Sequence, residues 1–254
     1  MVRGRKGTGQ LTVTSFSVAE GSLDYWMKRL SRLGVVYRRP ERRFNEEYIY
    51  FEDYDGLGLE IVASGNDDRK PYANGNIPEE FSIKGFYGVT LSEDDEARTI
   101  RLLSEQMDHS IIDEKDNMYR LSASGNIYGF VDIIISPNGV RGRGGAGTVH
   151  HVAFATPDDA TQLKLREKLL ADGMVEPTNV ADRQYFHSIY FREPGGVLFE
   201  AATCDIGFTL DEPAEHLGEN LKLPPWEEKN RQEIEKYLAP VQLNAEKFSD
   251  YARV

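Results

Sequence analysis

The sequence predicts an α+β fold in which one supersecondary unit is repeated. Residues 10–64, 83–140 and 149–205 each show a strand pattern, then a helix pattern, then further strand patterns. Each segment is therefore interpreted as a βαβββ module. The last strand of each module carries an acidic residue at the same place: Glu60, Asp132 and Glu200. The recurrence of the same order of elements, with the same marked position, indicates a repeat architecture rather than one irregular domain.

The first module begins with a strand over 11–18, where apolar and β-branched residues dominate. Ser22 is placed to cap a helix that ends at Gly34. The residues at helical spacing that form its apolar face are Leu23, Trp26, Leu30 and Leu33. Two further strand patterns complete the module, over 47–52 and 57–63.

A polar segment rich in Gly, Asn and Asp predicts a linker over 65–82. The second module then begins with a strand over 85–91, and Ser92 with Asp95 resembles a capping box for the following helix. The apolar face of that helix is expected to comprise Ile100, Leu103 and Met107. Strand patterns over 118–123 and 128–135 follow, joined by a turn at Gly125-Asn126.

A glycine-rich linker over 141–148 leads to the third module, which begins with a strand over 149–155. Pro157 predicts a helix start, since proline is favoured at the first helical position, and Gly173 predicts its end. Leu163, Leu169 and Leu170 are expected to be buried, and strands are expected over 185–191 and 197–202.

The remaining residues, 206–254, form a tail outside the repeat. A charged helix pattern over 227–238 is expected to pack over the modules through Ile234, Tyr237 and Leu238.

Composition excludes several classes of protein. The net charge of −12 argues against non-specific binding to nucleic acid or to an anionic membrane surface. No apolar run approaches the roughly 18 residues of a membrane span, and the first residues lack the apolar core of a signal peptide. The single cysteine, Cys204, excludes an internal disulfide and fits a reducing cytoplasm, which is the expected location. Cys204 is interpreted as a small residue at the edge of the core.

The third module carries the candidate chemistry. His150 and His151 are adjacent in its first predicted strand, so they are expected to face opposite sides of the sheet. We select His151 as the residue that faces the site. Glu200 lies in a nearly continuous apolar run, and a charge there needs either a metal or an ion-pair partner, for which Arg183 and Arg192 are the candidates. Imidazole and carboxylate together are the ligand types of a divalent-metal site.

Three stretches of this module, Val149-His150-His151-Val152-Ala153-Phe154, residues 182–192 and residues 194–203, carry a resemblance to a known family. With Leu223-Pro224-Pro225-Trp226, they resemble the vicinal-oxygen-chelate (glyoxalase/extradiol dioxygenase) superfamily, and most closely its hydroquinone-type ring-cleaving dioxygenases. The resemblance implies an Fe(II) site, with Mn(II) as the alternative metal, and a small aromatic substrate that reacts with O2. It places metal ligands at His151 and Glu200. It places substrate-contacting or catalytic residues at His150, Arg183 and Tyr190.

The family binds its metal through two histidines and one glutamate, and its first histidine lies in a module for which this sequence has no segment. Residues 3–9 resemble the linker at 141–147, which indicates that a module preceded them; a chance likeness of two Gly/Arg loops is the alternative. The sequence therefore predicts three modules of an expected four. An unpaired module also predicts a homo-oligomer, because open sheet edges associate.

Two other functions stay open at this stage. The first is a truncated, catalytically impaired member of the family, and the second is a glyoxalase-like metal-dependent lyase or isomerase. Ordinary roles also stay open for individual residues: strand packing for Tyr190 and a surface ion pair with Asp182 or Glu176 for Arg183. His187 has no evident role, and His109 and His216 are expected at the surface.

Overall fold

The computed structural model describes residues 2–72, 77–123 and 127–240. Within these ranges the strands are β1 (Gln10–Val18), β2 (Glu41–Arg43), β3 (Glu46–Glu52), β4 (Gly58–Ala63), β5 (Gly85–Glu93), β6 (His109–Lys115), β7 (Met118–Ala123), β8 (Phe130–Ile135), β9 (Val152–Thr156), β10 (Ala181–Asp182), β11 (His187–Arg192) and β12 (Leu198–Thr203). The α-helices are α1 (Leu23–Arg32), α2 (Ala97–Arg101), α3 (Asp159–Asp172) and α4 (Arg231–Tyr237). A π-helical turn, Leu102–Gln106, continues α2. The α+β class predicted from the sequence is confirmed.

The first eight strands form one sheet in the order β2-β3-β4-β1-β5-β8-β7-β6. Its two halves repeat each other, since β1 is parallel to β4 and β5 is parallel to β8. The halves are joined by antiparallel pairing of β1 with β5. The strands predicted for the first two modules therefore form a single continuous sheet. The number of modules and their boundaries stay predictions.

The other four strands form a second sheet in the order β10-β11-β12-β9. Here β9 is parallel to β12, which matches the pairing of β1 with β4 and of β5 with β8. The two Gly/Arg-rich segments that resemble each other in sequence lie side by side: Arg5 and Arg143 exchange backbone hydrogen bonds of 2.8 Å. This contact ties residues near the start of β1 to the chain that enters β9.

One apolar core joins the two sheets. Leu91 and Ile133 of the first sheet belong to the same buried cluster as Phe191 and Phe199 of the second sheet and Leu169 of α3. A second cluster lies under α1 and includes Trp26, Leu30, Ile49 and Ile61. Since side chains from both sheets fill one core, the second sheet is held against the first by burial of large apolar side chains, the dominant favourable term in folding.

Helix α3 departs from its predicted face and start. Leu169 is fully buried, but Leu163 and Leu170 are 46% and 44% exposed, so that part of the prediction is wrong. Gln162 lies inside instead: its side-chain NH2 group donates to the backbone carbonyls of His187 and Ala201, while its Oε1 has no hydrogen-bond partner among the described residues. The helix begins at Asp159, because Asp158 caps it by accepting a hydrogen bond from the Thr161 N–H.

Other local predictions also differ from the structure. Ser22 precedes α1 but makes no capping hydrogen bond, since its hydroxyl donates to the Glu80 carbonyl. Ser92 belongs to β5 rather than to a capping box, and β6 was not predicted. In the tail, Tyr237 and Leu238 are exposed, so they do not form the expected packing face. The predicted turn at Gly125-Asn126 lies outside the described residues.

A buried carboxyl group lies where the first sheet meets the β11–β12 turn. Glu93 is 0% exposed, and neither of its carboxylate oxygens has a hydrogen-bond partner among the described residues. It lies against Gly195, so closely that a side chain there would collide with its carboxylate. The neighbouring Glu193 is satisfied, since it accepts hydrogen bonds from Thr99 and from the Gly195 and Val197 N–H groups. Burial, followed by the negative charge of Glu193, raises the pKa of Glu93 to about 8.

Between about pH 5 and pH 8, we expect the free energy of unfolding to fall less in Glu93→Gln than in the wild type. The unfolded chain releases the Glu93 proton near pH 4.5, whereas the folded chain retains it until its pKa of about 8. The unfolded state therefore binds fewer protons in this interval, and rising pH favours unfolding. Each pKa unit corresponds to about 1.4 kcal/mol. Over this pH interval the free energy of unfolding of the wild type should therefore fall by several kcal/mol more than that of the variant.

Urea unfolding at about pH 5, 6.5 and 8 measures this difference. The exposed Glu114, changed to Gln, is the matched control and should follow the wild type. Parallel pH profiles for the wild type and Glu93→Gln would show that Glu93 ionises normally in the folded protein.

Candidate metal-binding active site

The candidate residues of the second sheet share one face. In the register of β11 with β12, Tyr190 lies opposite Glu200, and in the register of β12 with β9, Glu200 lies beside Ala153. His151 lies just before β9, and its Nε2 reaches the Glu200 carboxylate at 2.8 Å. The strand pairing thus brings residues from three separate parts of the chain to one place.

Glu200 is the buried centre of this group. Its side chain is 4% exposed, and its carboxylate has two close partners. The Tyr190 hydroxyl donates to Oε1 at 2.7 Å, and His151 Nε2 lies 2.8 Å from Oε2. The alternative in which Arg183 or Arg192 forms an ion pair with Glu200 is wrong, since neither guanidinium lies within ion-pair distance of it among the described residues.

The two adjacent histidines lie on the same side, contrary to the expectation that they would face opposite sides. Their Nδ1 atoms are 2.9 Å apart, and their rings meet edge to face with centroids separated by 5.2 Å. The reason is that β9 begins at Val152, so strand alternation does not govern the two histidines. His150 is exposed and can therefore reach a molecule bound beside His151.

Hydrogen bonding couples the tautomers of the two rings. When a neutral His151 donates from Nε2 to Glu200, its Nδ1 can only accept, so His150 Nδ1 must be the donor. If a cation takes the place of that Nε2 proton, His151 must carry its proton on Nδ1 and His150 becomes the acceptor. His150 is thus placed to fix the ring orientation of His151 in either state.

Two arginines, Arg183 and Arg192, lie near His151 and Glu200. The Arg183 guanidinium lies over the Tyr190 ring, 5.5 Å from its centroid. No ion pair of Arg183 with Asp182 or Glu176 is found in the described part of the chain. Arg192 shares the face of Tyr190, because it follows two residues later in β11. Both positively charged side chains therefore border the candidate site, in which Glu200 supplies the carboxylate.

The remaining histidines have ordinary partners. His187 lies 2.6 Å from Asp159, and that hydrogen bond raises the pKa of His187. His109 is buried rather than at the surface as expected: its Nδ1 lies 2.6 Å from the Met107 carbonyl, and burial lowers its pKa. His216 is exposed beside Glu219, as expected, and Cys204 is exposed.

The equivalent positions of the first sheet hold a different arrangement. Glu60 and Asp132 are buried like Glu200, but they face guanidinium groups instead of imidazole. Arg43 lies 2.8 Å from Glu60 and 3.4 Å from Asp132, and Arg120 lies 2.7 Å from Asp132. Arg120 also pairs with Glu46 at 2.7 Å. The repeat in the sequence predicted the two acids but not Arg43, Arg120 or Glu46, although strand alternation in 118–123 places Arg120 on the buried side.

The donor set at Glu200 fits part of a metal site. An imidazole nitrogen and a carboxylate oxygen converge, and both are ligand types that divalent iron accepts. Among the described residues, no group of three or more His, Cys, Asp or Glu side chains is arranged to hold a metal. For a metal at this place, His151 and Glu200 would supply two ligands, and the other coordination positions would need groups beyond this pair.

A groove of about 660 Å³ opens beside the two histidines. It is bordered by Leu198 of β12, by the glycine-rich segment 142–145 and by the side chains of Arg141 and Arg192. The volume falls within the usual range for small-molecule sites, about 300–1,000 Å³. No helix of the described residues has the length and apolar character needed to cross a membrane.

The chain is similar to curated proteins over most of its length. It is 39% identical over 237 residues to MhqO of Bacillus subtilis, named as a ring-cleaving dioxygenase, covering 93% of this chain and 75% of that protein. It is 38% identical to MhqE of the same organism, over 91% of this chain and 75% of the relative. It is 32% identical to the chlorohydroquinone/hydroquinone 1,2-dioxygenase of Sphingobium indicum, over 87% of this chain and 70% of the relative. No family model matches the sequence.

Solved structures show the same fold. A crystal structure of a protein from Bacillus subtilis named as a dioxygenase superposes with a TM-score of 0.87 at 38% identity, covering 95% of this chain and 77% of that one. Glyoxalase I from Zea mays superposes with a TM-score of 0.57 at 14% identity, covering 79% of this chain and 68% of that one. The second likeness concerns the fold alone.

Proposed function

This chain belongs to the ring-cleaving dioxygenase family of the vicinal-oxygen-chelate superfamily, and we propose that it uses O2 to cleave the ring of hydroquinone-like aromatic diols. The observation that carries the proposal is the buried Glu200 carboxylate, which faces His151 on one side and the Tyr190 hydroxyl on the other. We propose Fe(II) as the metal, with Mn(II) as the alternative, and His151 and Glu200 as two of its ligands. When bound, the metal would supply an electrophilic, redox-active centre at which the diol and O2 meet.

The protein side chains have separate tasks in this proposal. Tyr190 holds Glu200 in place through its 2.7 Å hydrogen bond, and the hydroxyl can also face a substrate oxygen. His150 orients the His151 ring and, because it is exposed, can accept or release the proton of a substrate hydroxyl. Arg183 places a positive charge over Tyr190, where it stabilises a phenolate.

Oxygen uptake tests the proposal. The protein is purified without O2, loaded with Fe(II), and mixed with methylhydroquinone and oxygenated buffer. We expect O2 consumption in step with loss of the aromatic absorbance, and metal bound to the protein by elemental analysis. A folded protein that binds Fe(II) and consumes no O2 with methyl- or chloro-substituted hydroquinone would refute the activity.

We expect Tyr190→Phe to lower kcat/KM for methylhydroquinone by about tenfold or more, because partners that orient a metal ligand typically contribute 10–100-fold. The change removes the hydroxyl that donates to Glu200 and keeps the ring that packs beside His151. Tyr72→Phe is the control, since Tyr72 is 74% exposed. If both variants have the same kcat/KM as the wild type, the role proposed for Tyr190 is refuted.

Association between copies of the chain also stays a proposal. Strand β9 is at the edge of the second sheet, and its outer side has no strand partner among the described residues. Light scattering of the purified chain tests it, and a monodisperse monomer would contradict it.

A further inference from the structure

Two guanidinium groups converge on one glycine at the end of the groove. Arg192 Nη1 donates to the Gly196 carbonyl at 2.9 Å. From the other side, Arg141 fills the space that a side chain at Gly196 would need, since a Cβ there would lie 1.9 Å from Arg141 Nη2. Gly196 has a φ of +111°, which favours glycine, so the backbone and the packing both keep this position free for the arginine.

The two positive charges have little compensation. Among the described residues, Asp94 is the acid within ion-pair distance of Arg141, at 3.9 Å, and both side chains are more than half exposed, so this pair contributes little. The buried Glu93 also interacts with Arg141, but its pKa of about 8 leaves it mostly uncharged at neutral pH. No carboxylate lies within ion-pair distance of Arg192 among the described residues. The groove lining in the described part of the chain includes no Asp or Glu, although the chain as a whole carries a net charge of −12. A local excess of positive charge in an acidic protein attracts anions to this groove.

Arg192 lies on the same face of the second sheet as Tyr190 and Glu200, at a distance that suits one aromatic ring. Arg192 follows Tyr190 by two residues on the same face of β11, which corresponds to roughly 6.6 Å along the strand. Leu198, opposite Arg192, precedes Glu200 by two residues and gives the groove an apolar floor between the two ends. The groove therefore has a polar end at His150 and His151, an apolar middle at Leu198 and a cationic end at Gly196.

We infer that Arg141 and Arg192 bind an anionic substituent of the substrate, and that the preferred substrates are aromatic diols bearing a carboxylate. This inference rests on the proposed function and names its substrate class. A guanidinium pair suits a carboxylate because its planar N–H groups match the two oxygens of that anion. The hydroxyl groups of the same ring then face His151 and Glu200.

Binding without O2 tests the inference separately from catalysis. Titration calorimetry on the anaerobic Fe(II) protein compares 2,5-dihydroxybenzoate with methylhydroquinone. We expect tighter binding of the dihydroxybenzoate. We expect Arg192→Gln and Arg141→Gln each to weaken its binding by about tenfold, because each removes hydrogen bonds to a charged group, and to leave methylhydroquinone binding unchanged. Arg192→Lys keeps the charge without the planar fork and should retain part of the affinity.

Arg32→Gln, at an exposed position in α1, is the matched control and should bind both diols like the wild type. Equal affinities for the two diols in the wild type would overturn the inference, as would arginine variants that weaken both diols equally. Turnover of methylhydroquinone with no effect of the arginines on either diol would refute the anion subsite and leave the proposed activity standing. Binding of neither diol would refute both.

Discussion

Glu200→Gln is expected to abolish stable metal binding and oxygen uptake while the protein stays folded. The glutamine retains an oxygen that can accept the Tyr190 hydrogen bond, so the local packing survives. It removes the negative charge that faces His151 Nε2 at 2.8 Å, and a divalent cation depends on that charge. Because loss of mere supporting partners costs 10–100-fold in metal affinity, loss of a ligand should cost at least about a hundredfold.

Three measurements check this result on the same preparation: Fe(II) content by elemental analysis, O2 uptake with methylhydroquinone, and the thermal unfolding midpoint. Glu47→Gln is the control, because Glu47 is an exposed strand carboxylate whose ion-pair partner, Arg42, is also exposed. It should match the wild type in all three. A Glu200→Gln protein that retains Fe(II) and consumes O2 at the wild-type rate would exclude Glu200 as a ligand.

Much of this site follows from the sequence because it depends on strand periodicity. Glu200 lies in an apolar run, and strand registers that repeat through the chain bring Tyr190 opposite it. The mutual position of His150 and His151 did not follow, because it depends on where β9 begins. When a strand begins one or two residues later than predicted, the residues before it no longer have to alternate between the two faces of the sheet.

Interactions across strands were less accessible to sequence reasoning. Arg43 lies in the short strand β2, and its partner Asp132 lies in β8, so nothing local to either residue reveals the pair. Gln162, rather than Leu163 and Leu170, is buried beneath α3, because its side chain donates hydrogen bonds to two backbone carbonyls of a sheet that is remote in sequence. Such contacts are set by tertiary packing, and they outweigh the helical periodicity of apolar residues.

Arg120→Met is expected to destabilise the folded protein by about 3–5 kcal/mol, since removal of one partner from a buried ion pair leaves uncompensated charge. Arg120 donates to Glu46 and to Asp132, and it is 5% exposed. Burial alone would raise the pKa of Glu46, but the hydrogen bond and charge of Arg120 hold that pKa below its usual range. Without Arg120, Arg43 is the guanidinium that remains beside Glu46, Glu60 and Asp132 in the described part of the chain.

Urea unfolding at neutral pH measures the loss. Arg101→Met is the matched control: Arg101 also contacts two carboxylates, Glu105 and Asp172, but it is half exposed, so the change should cost less than about 1 kcal/mol. A triple variant that adds Glu46→Gln and Asp132→Asn to Arg120→Met should recover part of the stability, because the remaining Arg43 and Glu60 form a neutral pair.

This comparison also separates two explanations of the buried acids in the first sheet. If Glu60 and Asp132 were cation ligands, as we propose for Glu200, removal of Arg120 would free carboxylates for Fe(II), and added metal would stabilise the variant. If the guanidinium groups serve as the permanent counter-ions, Fe(II) should not restore stability, while the triple variant should. We expect the second result, because Arg43 and Arg120 already fill the space between the acids of both halves of the sheet. Stabilisation of Arg120→Met by Fe(II) to the level of the triple variant would contradict it.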